Sequence, residues 1–423
     1  MKKDFSGFLA LFLALSSFIT AQEKFTLSGT ITDSQSNETL IGVNIIVPDS
    51  QTGTVTNEYG FYSLTLPAGT YAIQISYLGY KTIFETIVFN DNITKNYKLT
   101  ESAENLDEVV IEEDVERISI KKPQMSVNSL SIKTIKSMPV VLGEVDIIKS
   151  ITLLPGVTNG GEGSSGFNVR GGSADQNLIL LDEAIIFNSS HLFGFFSVFN
   201  PDAIKDIKLY KGGIPAKYGG RVSSVLDIYQ KEGNSNEFHM NGGIGLISSR
   251  LLAEGPIKKG KGSFLLGGRS SYAHLFLPLF DLDNTAYFYD LNTKLSYRFN
   301  DKNSIYLSGY FGRDVFEVSD SFENTYGNTV LNFRWNHLFS DKLFSNLSLI
   351  YSDYDYDLKL AFVGFDWESG IRNFNLKYDL NHYISNNFKL EYGLNSIYYK
   401  FNPGEISPID ETSGINQFKL IDK

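Results

Sequence analysis

At 423 residues with 42% hydrophobic content, the chain is long enough for several packed cores. Its net charge of −11, from 37 basic and 48 acidic side chains with no basic tract, excludes the cationic footprint that nucleic-acid phosphates require. The absence of cysteine excludes disulfide staples and thiolate chemistry, and an aromatic content of 14%, crowded into the second half, is high for an ordinary soluble protein.

Residues 1–21 read as an export signal. Lys2 and Lys3 precede an apolar run from Phe8 to Ile19, and Thr20-Ala21 offers a small residue for cleavage. The alternative, an uncleaved anchor, is weaker because the run is short for a bilayer span. No other apolar stretch approaches ~20 residues, so any insertion into a membrane must be by strands.

Residues 22–100 form a compact all-β unit. Alternating runs (Leu27 to Ile31, Val43 to Val47, Phe61 to Leu66, Tyr71 to Tyr77, Thr82 to Val88) are separated by turn chemistry at Pro48-Asp49-Ser50, Asn57-Glu58-Tyr59-Gly60 and Pro67-Ala68-Gly69. That spacing predicts a small β-sandwich. The stretches SGTITDSQSNETLIGVNIIV and TNEYGFYSLTLPAGTYAIQISYLGYK resemble the carboxypeptidase-regulatory-like domain. No zinc chemistry follows from the likeness. None of the five histidines (His191, His239, His274, His337, His382) has a glutamate at metal-ligand spacing, so the domain reads as a spacer or docking module and no metal or cofactor is expected.

The linker 101–125 carries Asp107, Glu108, Val109, Val110 and Ile111 ahead of an acidic patch, Glu112-Glu113-Asp114. An extended β-branched segment on a loose tether can add a strand to a partner's sheet edge. A last strand of the sandwich, or a plain linker, is the competing reading.

Residues 126–232 read as a small α/β domain with almost no catalytic inventory. Val145, Ile148 and Ile151 recur at helical spacing from Gly143 to Leu154, and Pro155-Gly156 stops the helix. Phe167 to Gly172 reads as a short strand, Ser173 to Asn177 as a turn and Leu178 to Leu181 as a buried strand ending at Asp182-Glu183. Asn200-Pro201-Asp202 is a helix-start signal, and the alternation at Ile207 and Leu209 makes a further strand. Gly161 to Gly166 matches G-x-G-x-x-G with Asp182 downstream. A helix precedes these glycines and a strand follows, the reverse of a dinucleotide fold, so a loop is the better account.

The runs LLPGV, GFNVRGG, LILLDEA, VFNPDAIKDIKLYKGG and PAKYGGRVSSVLDI, between Leu153 and Ile228, together resemble the plug domain of TonB-dependent outer-membrane transporters of the Bacteroidetes type. The resemblance implies that Asp107 to Ile111 is the box bound by a TonB-type periplasmic energy-transducing protein. It also implies that Arg170, Asp182, Glu183 and Arg221 bond the plug to a barrel wall, the alternative being ordinary surface or intra-plug pairs. Asn188, Ser189, His191 and Phe193 fall in a polar and aromatic loop that would face the substrate, although a loop-packing histidine is the plainer reading of His191.

From residue 233 to 423 the pattern becomes long alternation. Thr293, Leu295, Tyr297 and Phe299 alternate with Asn292, Lys294, Ser296 and Arg298, and the same holds around Leu331 to Trp335 and Phe374 to Leu380. An apolar face for lipid and a polar face for a lumen is the transmembrane-barrel pattern. Tight turns at Lys258 to Lys261, Asn300 to Asn303, Ser340 to Lys342 and Ser385 to Asn387 alternate with longer links around Leu277 to Thr285, Ser319 to Asn328, Phe362 to Gly370 and from Asn402 onward. Short periplasmic turns and long outer loops give the orientation, and Gly242, Gly243 and Gly245 fold the first hairpin. A phase shift between Tyr351 and Tyr354 predicts a bulge, with tyrosines in the outer girdle and Asp353, Asp355 and Asp357 in the lumen. Calcium binding by these acids is disfavoured because Leu358 stands where an EF-hand loop needs glycine.

The fold class is therefore mainly β: an N-terminal β-sandwich, a small α/β plug domain, then antiparallel transmembrane β-barrel strands, about nine or ten of them, an incomplete barrel. Plugged lumens belong to ~22-stranded barrels, and Leu420 to Lys423 lacks the aromatic end of the family, so a truncated product or fragment is expected. The resemblance implies a non-enzymatic importer in the cell outer membrane. Its partners would be a TonB-type protein, an unknown small ligand (siderophore, vitamin, peptide or glycan) and, in the SusC-type alternative, a surface lipoprotein. A non-transporting receptor or signal transducer built from the same parts is the reading from another class.

Overall fold

The computed structural model describes residues 23–102, 126–136, 144–160, 166–280, 284–318, 321–410 and 413–420. The export signal and the box segment Asp107 to Ile111 lie outside them, as do Gly161 to Ser165 of the glycine-rich loop. The chain is mainly β. Its first unit comprises β1 (Lys24–Asp33), β2 (Asn44–Val47), β3 (Thr52–Val55), β4 (Phe61–Pro67), β5 (Gly69–Ser76), β6 (Ile83–Phe89), β7 (Ile93–Thr94) and β8 (Tyr97–Leu99). One sheet has the order β4-β1-β7, with β8 also on β1; the other has the order β3-β2-β5-β6. Leu27, Ile31, Ile45, Val47, Leu64 and Ile75 point between the two sheets and are buried. Strand β3 has only threonine, glycine and valine to mark it, which is why its periodicity is silent. Between β3 and β4, the Asn57 side chain accepts the backbone N–H groups of Tyr59 and Phe61. The closed turn thrusts Glu58 and Tyr59 away from the sandwich.

The second unit holds β9 (Val127–Ser131), α1 (Ile132–Lys136), α2 (Ile147–Thr152), β10 (Val157–Asn159), β11 (Phe167–Val169), β12 (Asn177–Leu181), β13 (Ala184–Ile185), β14 (Ser190–His191), β15 (Phe196–Ser197), β16 (Ile204–Tyr210) and β17 (Ser224–Gln230). The sheet order is β13-β12-β17-β16-β9, with β12 parallel to β17. Helix α2 is shorter than its apolar spacing suggests because Asp146 caps it, accepting Lys149 N–H at 2.9 Å. Asn200-Pro201-Asp202 starts no helix. Asn200 accepts Asp202 N–H on its side chain and Ala203 N–H on its carbonyl, making a turn into β16, and the Asp202 carboxylate is taken by Lys136 and Arg250. The alternating apolar residues Ile204, Ile207 and Leu209, all fully buried, carry the chain into strand instead.

The third unit is a single antiparallel meander: β18 (His239–Ile244), β19 (Ser248–Lys258), β20 (Gly262–Ser271), β21 (Asn284–Asn300), β22 (Asn303–Val318), β23 (Phe322–Ser340), β24 (Leu343–Leu360), β25 (Phe365–Ser385), β26 (Phe388–Pro408) and β27 (Phe418–Lys419). It curves as a wall and does not close. Strands β21 to β26 are 16 to 21 residues long. A membrane strand needs only ~9 to 11, so the strands continue well beyond a bilayer. Two predicted outer loops are therefore largely strand: β23 begins at Phe322 and β25 at Phe365. The segment after Asn402 likewise remains strand to Pro408. Polar composition there reflects water outside the bilayer and not a break in pairing.

The predicted bulge at Tyr351 to Tyr354 is absent, because the pairing of β24 with β23 and with β25 is continuous through it. Ser348, Ile350 and Ser352 are buried on the inner face. The same phase puts Tyr354 and Tyr356 inside and Asp353, Asp355 and Asp357 outside, the reverse of the sequence expectation. Asp353 meets Arg372, Asp355 meets Arg313 and Asp357 lies 4.0 Å from Lys359, so an outward carboxylate there needs no lumen. Leu331, Trp335, Leu349, Phe374, Leu376 and Leu394 form the exposed apolar band below. The plug lies against the inner face, and Tyr310, Val330 and Ile350 of the wall are part of its hydrophobic core.

Candidate functional site: the plug–wall interface

The hairpin joining β12 to β13 has a two-residue turn, Asp182-Glu183, with φ of 48° and 72°. Positive φ at both central residues is the type I′ geometry that Asn-Gly normally supplies, so two acids here carry backbone strain. The strained tip is aimed at the wall. Asp182 pairs with Lys294 at 2.9 Å, and the Asp182 carbonyl accepts the Asn332 amide. Lys294 also donates to Gln230 O at 2.9 Å, which ties β21 to the last residue of β17. Glu183 pairs with Lys377 at 2.8 Å and accepts from Ser348 and Asn346. Burial would raise the pKa of Glu183, but the Lys377 and Arg334 cations outweigh it and hold the carboxyl at about 2.

Further along, His191 is clasped between two wall carboxylates. Its Nδ1 is 2.6 Å from Asp314 Oδ2 and its Nε2 is 3.2 Å from Asp290 Oδ2. The Tyr310 hydroxyl is also 3.2 Å from Nε2, and the imidazole stacks on Phe288 at 4.3 Å. Leu192 N–H completes the grip on Asp314 at 2.7 Å, while Arg269 bonds Asp290 and donates to Ser197 O at 2.9 Å. Burial opposes a charge on the imidazole, but Asp314 and Asp290 outweigh burial and raise its pKa above the ordinary 6.5.

The remaining expected site residues divide. Asn188 exchanges bonds with Asn328 of the wall, donating its N–H at 3.3 Å and accepting on its carbonyl at 2.8 Å. Ser189 is buried. Phe193, at φ 54°, packs edge-on against Phe316 and donates its N–H to Tyr326. His191, in the loop expected to face substrate but read more plainly as a packing histidine, is 1% exposed inside the interface. Among the described residues the hydrogen bonds of Arg170 and Arg221 fall within the plug: Arg170 donates to Ser126 at 2.7 Å and Arg221 to Gly220 O at 2.9 Å. Both are exposed, and the Arg221 charge acts on Tyr399 of the wall. At the outer rim Asp357, Asp366 and Glu368 bring one oxygen each within 4.8 Å of one another, beside Lys359.

Residues 119–225 match the family profile of the TonB-dependent Receptor Plug Domain, and residues 27–111 match the CarboxypepD_reg-like domain. The chain therefore carries a TonB-dependent receptor plug domain behind a CarboxypepD_reg-like domain. It is 27% identical over 241 residues to TonB-dependent receptor P3 of Formosa agariphila, covering 56% of this chain and 23% of that protein. It is also 27% identical over 239 residues to TonB-dependent receptor SusC of Bacteroides thetaiotaomicron, covering 54% and 23%. The matched stretch spans less than a quarter of the length of these curated relatives. Two solved structures share its fold. The alcaligin outer membrane receptor FauA of Bordetella pertussis has a TM-score of 0.51 at 14% identity, over 68% of this chain and 48% of its own. The copper transporter OprC has a TM-score of 0.50 at 13% identity, over 66% and 47%.

Sequence reasoning found the acids of the plug but not their partners in the receptor wall. Asp290, Lys294, Asp314, Arg334 and Lys377 are charges on the inner phase of otherwise apolar–polar strands, and that phase is the signal that marks them.

Proposed function

We propose that this receptor imports a nutrient ligand across the outer membrane, with the plug gating a pore bounded by the wall. A TonB-type periplasmic protein would pull the segment Asp107 to Ile111 by strand addition. The observation that carries the reading is the interface itself. The plug is held by paired, hydrogen-bonded charges, Asp182 with Lys294 and Glu183 with Lys377. Such contacts suit a joint that must open, because water replaces each bond as it parts, whereas a wholly apolar joint has no such substitute. Ligand would arrive from the rim, where Phe193 is the most exposed of the expected loop residues.

Replacing Val109 and Val110 together by proline removes two N–H donors from the strand to be added. Uptake in cells is expected to fall to the level of cells without the energising partner while the amount of receptor in the outer membrane stays unchanged. Undiminished uptake would overturn the proposal. A second reading, a glycan importer working with a surface lipoprotein, draws on the SusC likeness, and co-purification of a lipoprotein with the intact receptor separates it from the first.

A further inference from the structure

The sandwich does not hang free of the pore. Three tight turns at one end of the wall touch it. Asp341 accepts from Ser28 Oγ at 3.0 Å, Asn386 accepts Thr65 N–H at 2.8 Å, and Gly260 O accepts from Asn37 at 3.3 Å. From this seat the turn between β3 and β4 reaches the underside of the plug. Glu58 pairs with Lys217 at 3.0 Å, with Lys208 at 4.0 Å. Tyr59 stacks on Phe344 of the wall at 5.2 Å, and Phe61 is held between Phe344 and Tyr383. The Tyr59 ring lies under the Arg334 guanidinium at 5.0 Å, and its hydroxyl donates to Glu183 Oε1 at 3.3 Å. One carboxylate is therefore shared by all three units: the sandwich through Tyr59, the wall through Lys377, Ser348 and Asn346, and the plug on which it stands.

We propose that the sandwich is an inner closure of the pore, seated under the plug and locking Glu183 through Tyr59, so that it must lift away before the plug can rearrange. The proposal rests on the reading of the wall as a pore boundary. Its contacts are largely polar, so water can replace them as they part: hydrogen bonds to turn tips, the ion pairs of Glu58 with Lys217 and Glu38 with Lys205, the bond of Thr39 to Glu232, and one small aromatic cluster. Tyr59 is a positioning residue here, acting on the plug by holding Glu183 against its cations.

The chain has no cysteine, so Ser28→Cys with Asp341→Cys introduces a single defined cross-link between sandwich and wall. Thr52→Cys with Asn386→Cys, whose side chains meet at 3.5 Å, is an independent second one. Amide deuterium exchange along residues 177–186 of the plug, measured on the full chain in detergent, is the readout. Oxidation is expected to slow that exchange roughly five- to tenfold relative to the same protein reduced, and Tyr59→Ala to speed it by a similar factor. Tyr59→Phe keeps the stack but not the bond to Glu183 and should fall between. If neither cysteine pair cross-links on oxidation, the sandwich does not sit there and the proposal fails. If the cross-links form but plug exchange ignores both them and Tyr59→Ala, the sandwich is merely tethered and the proposal also fails. No transport or energising partner enters the measurement, so an error in the import reading would leave this result standing.

Discussion

Glu183 and Lys377 are 6% and 9% exposed at their side chains, deep enough that removing one partner strands the other. Lys377→Met alone is expected to destabilise the assembled chain by about 3–5 kcal/mol, and Glu183→Gln with Lys377→Met by much less, because the double change leaves no bare charge. Denaturant midpoints for the four members of this cycle check it. The two titratable contacts give a pH profile. The depressed carboxyl of Glu183 contributes stability above its ordinary 4.5, lost as pH falls toward about 2. The raised imidazole of His191 contributes stability that is complete below 6.5 and is lost as pH rises through its higher folded value. Plug protection against deuterium exchange, corrected for intrinsic rates, should therefore be greatest between about pH 4.5 and 6.5 and weaken on the alkaline side. His191→Gln should flatten the alkaline limb alone. The groups facing this imidazole are Asp290, Asp314, Tyr310 and, through Asp290, Arg269; a flat profile in the parent chain would mean that the imidazole carries no proton when the plug is seated.

At the level of the strand, position along the wall decides what a side chain costs. Leu349 lies outward within the apolar band, whereas Glu368 lies outward beyond it on the same sheet. Leu349→Arg is expected to cost about 2–4 kcal/mol in a bilayer and Glu368→Arg about 0–1, a contrast that unfolding titrations in lipid will read directly. The same distinction explains which elements were legible. Period-two alternation marks the sandwich strands, β16 and the lipid-facing stretches of β21, β23 and β25, and a continuous apolar run marks β12, because burial on one face or both writes itself into the sequence. It failed where that pressure stops. Beyond the apolar band polar side chains fall on both faces, so strand reads as loop and the alternation sets Tyr354 and Asp355 on the opposite faces to those they occupy. Asn200-Pro201-Asp202 has every local mark of a helix start, yet pairing of Ile207 with Ile228 on β17 prevails over it.

Across the whole molecule, the plug acids could be named from their motifs, but nothing local links Glu183 to residues 124 positions before it and 194 after it. Those partners converge only when wall, plug and sandwich are assembled. The sandwich reads as an inert spacer in isolation for the same reason: Glu58 and Tyr59 sit in a turn whose local chemistry explains its shape but not its use. The greasy seam formed by Tyr310, Val330 and Ile350 has its own consequence. A stopper drawn out entire would carry an oily flank into water and leave a matching stripe on the staves behind it. Movement that parts the charged side first and keeps that seam dry exposes far less, so the passage should open as a crevice along one edge of the stopper, with the remainder still in place.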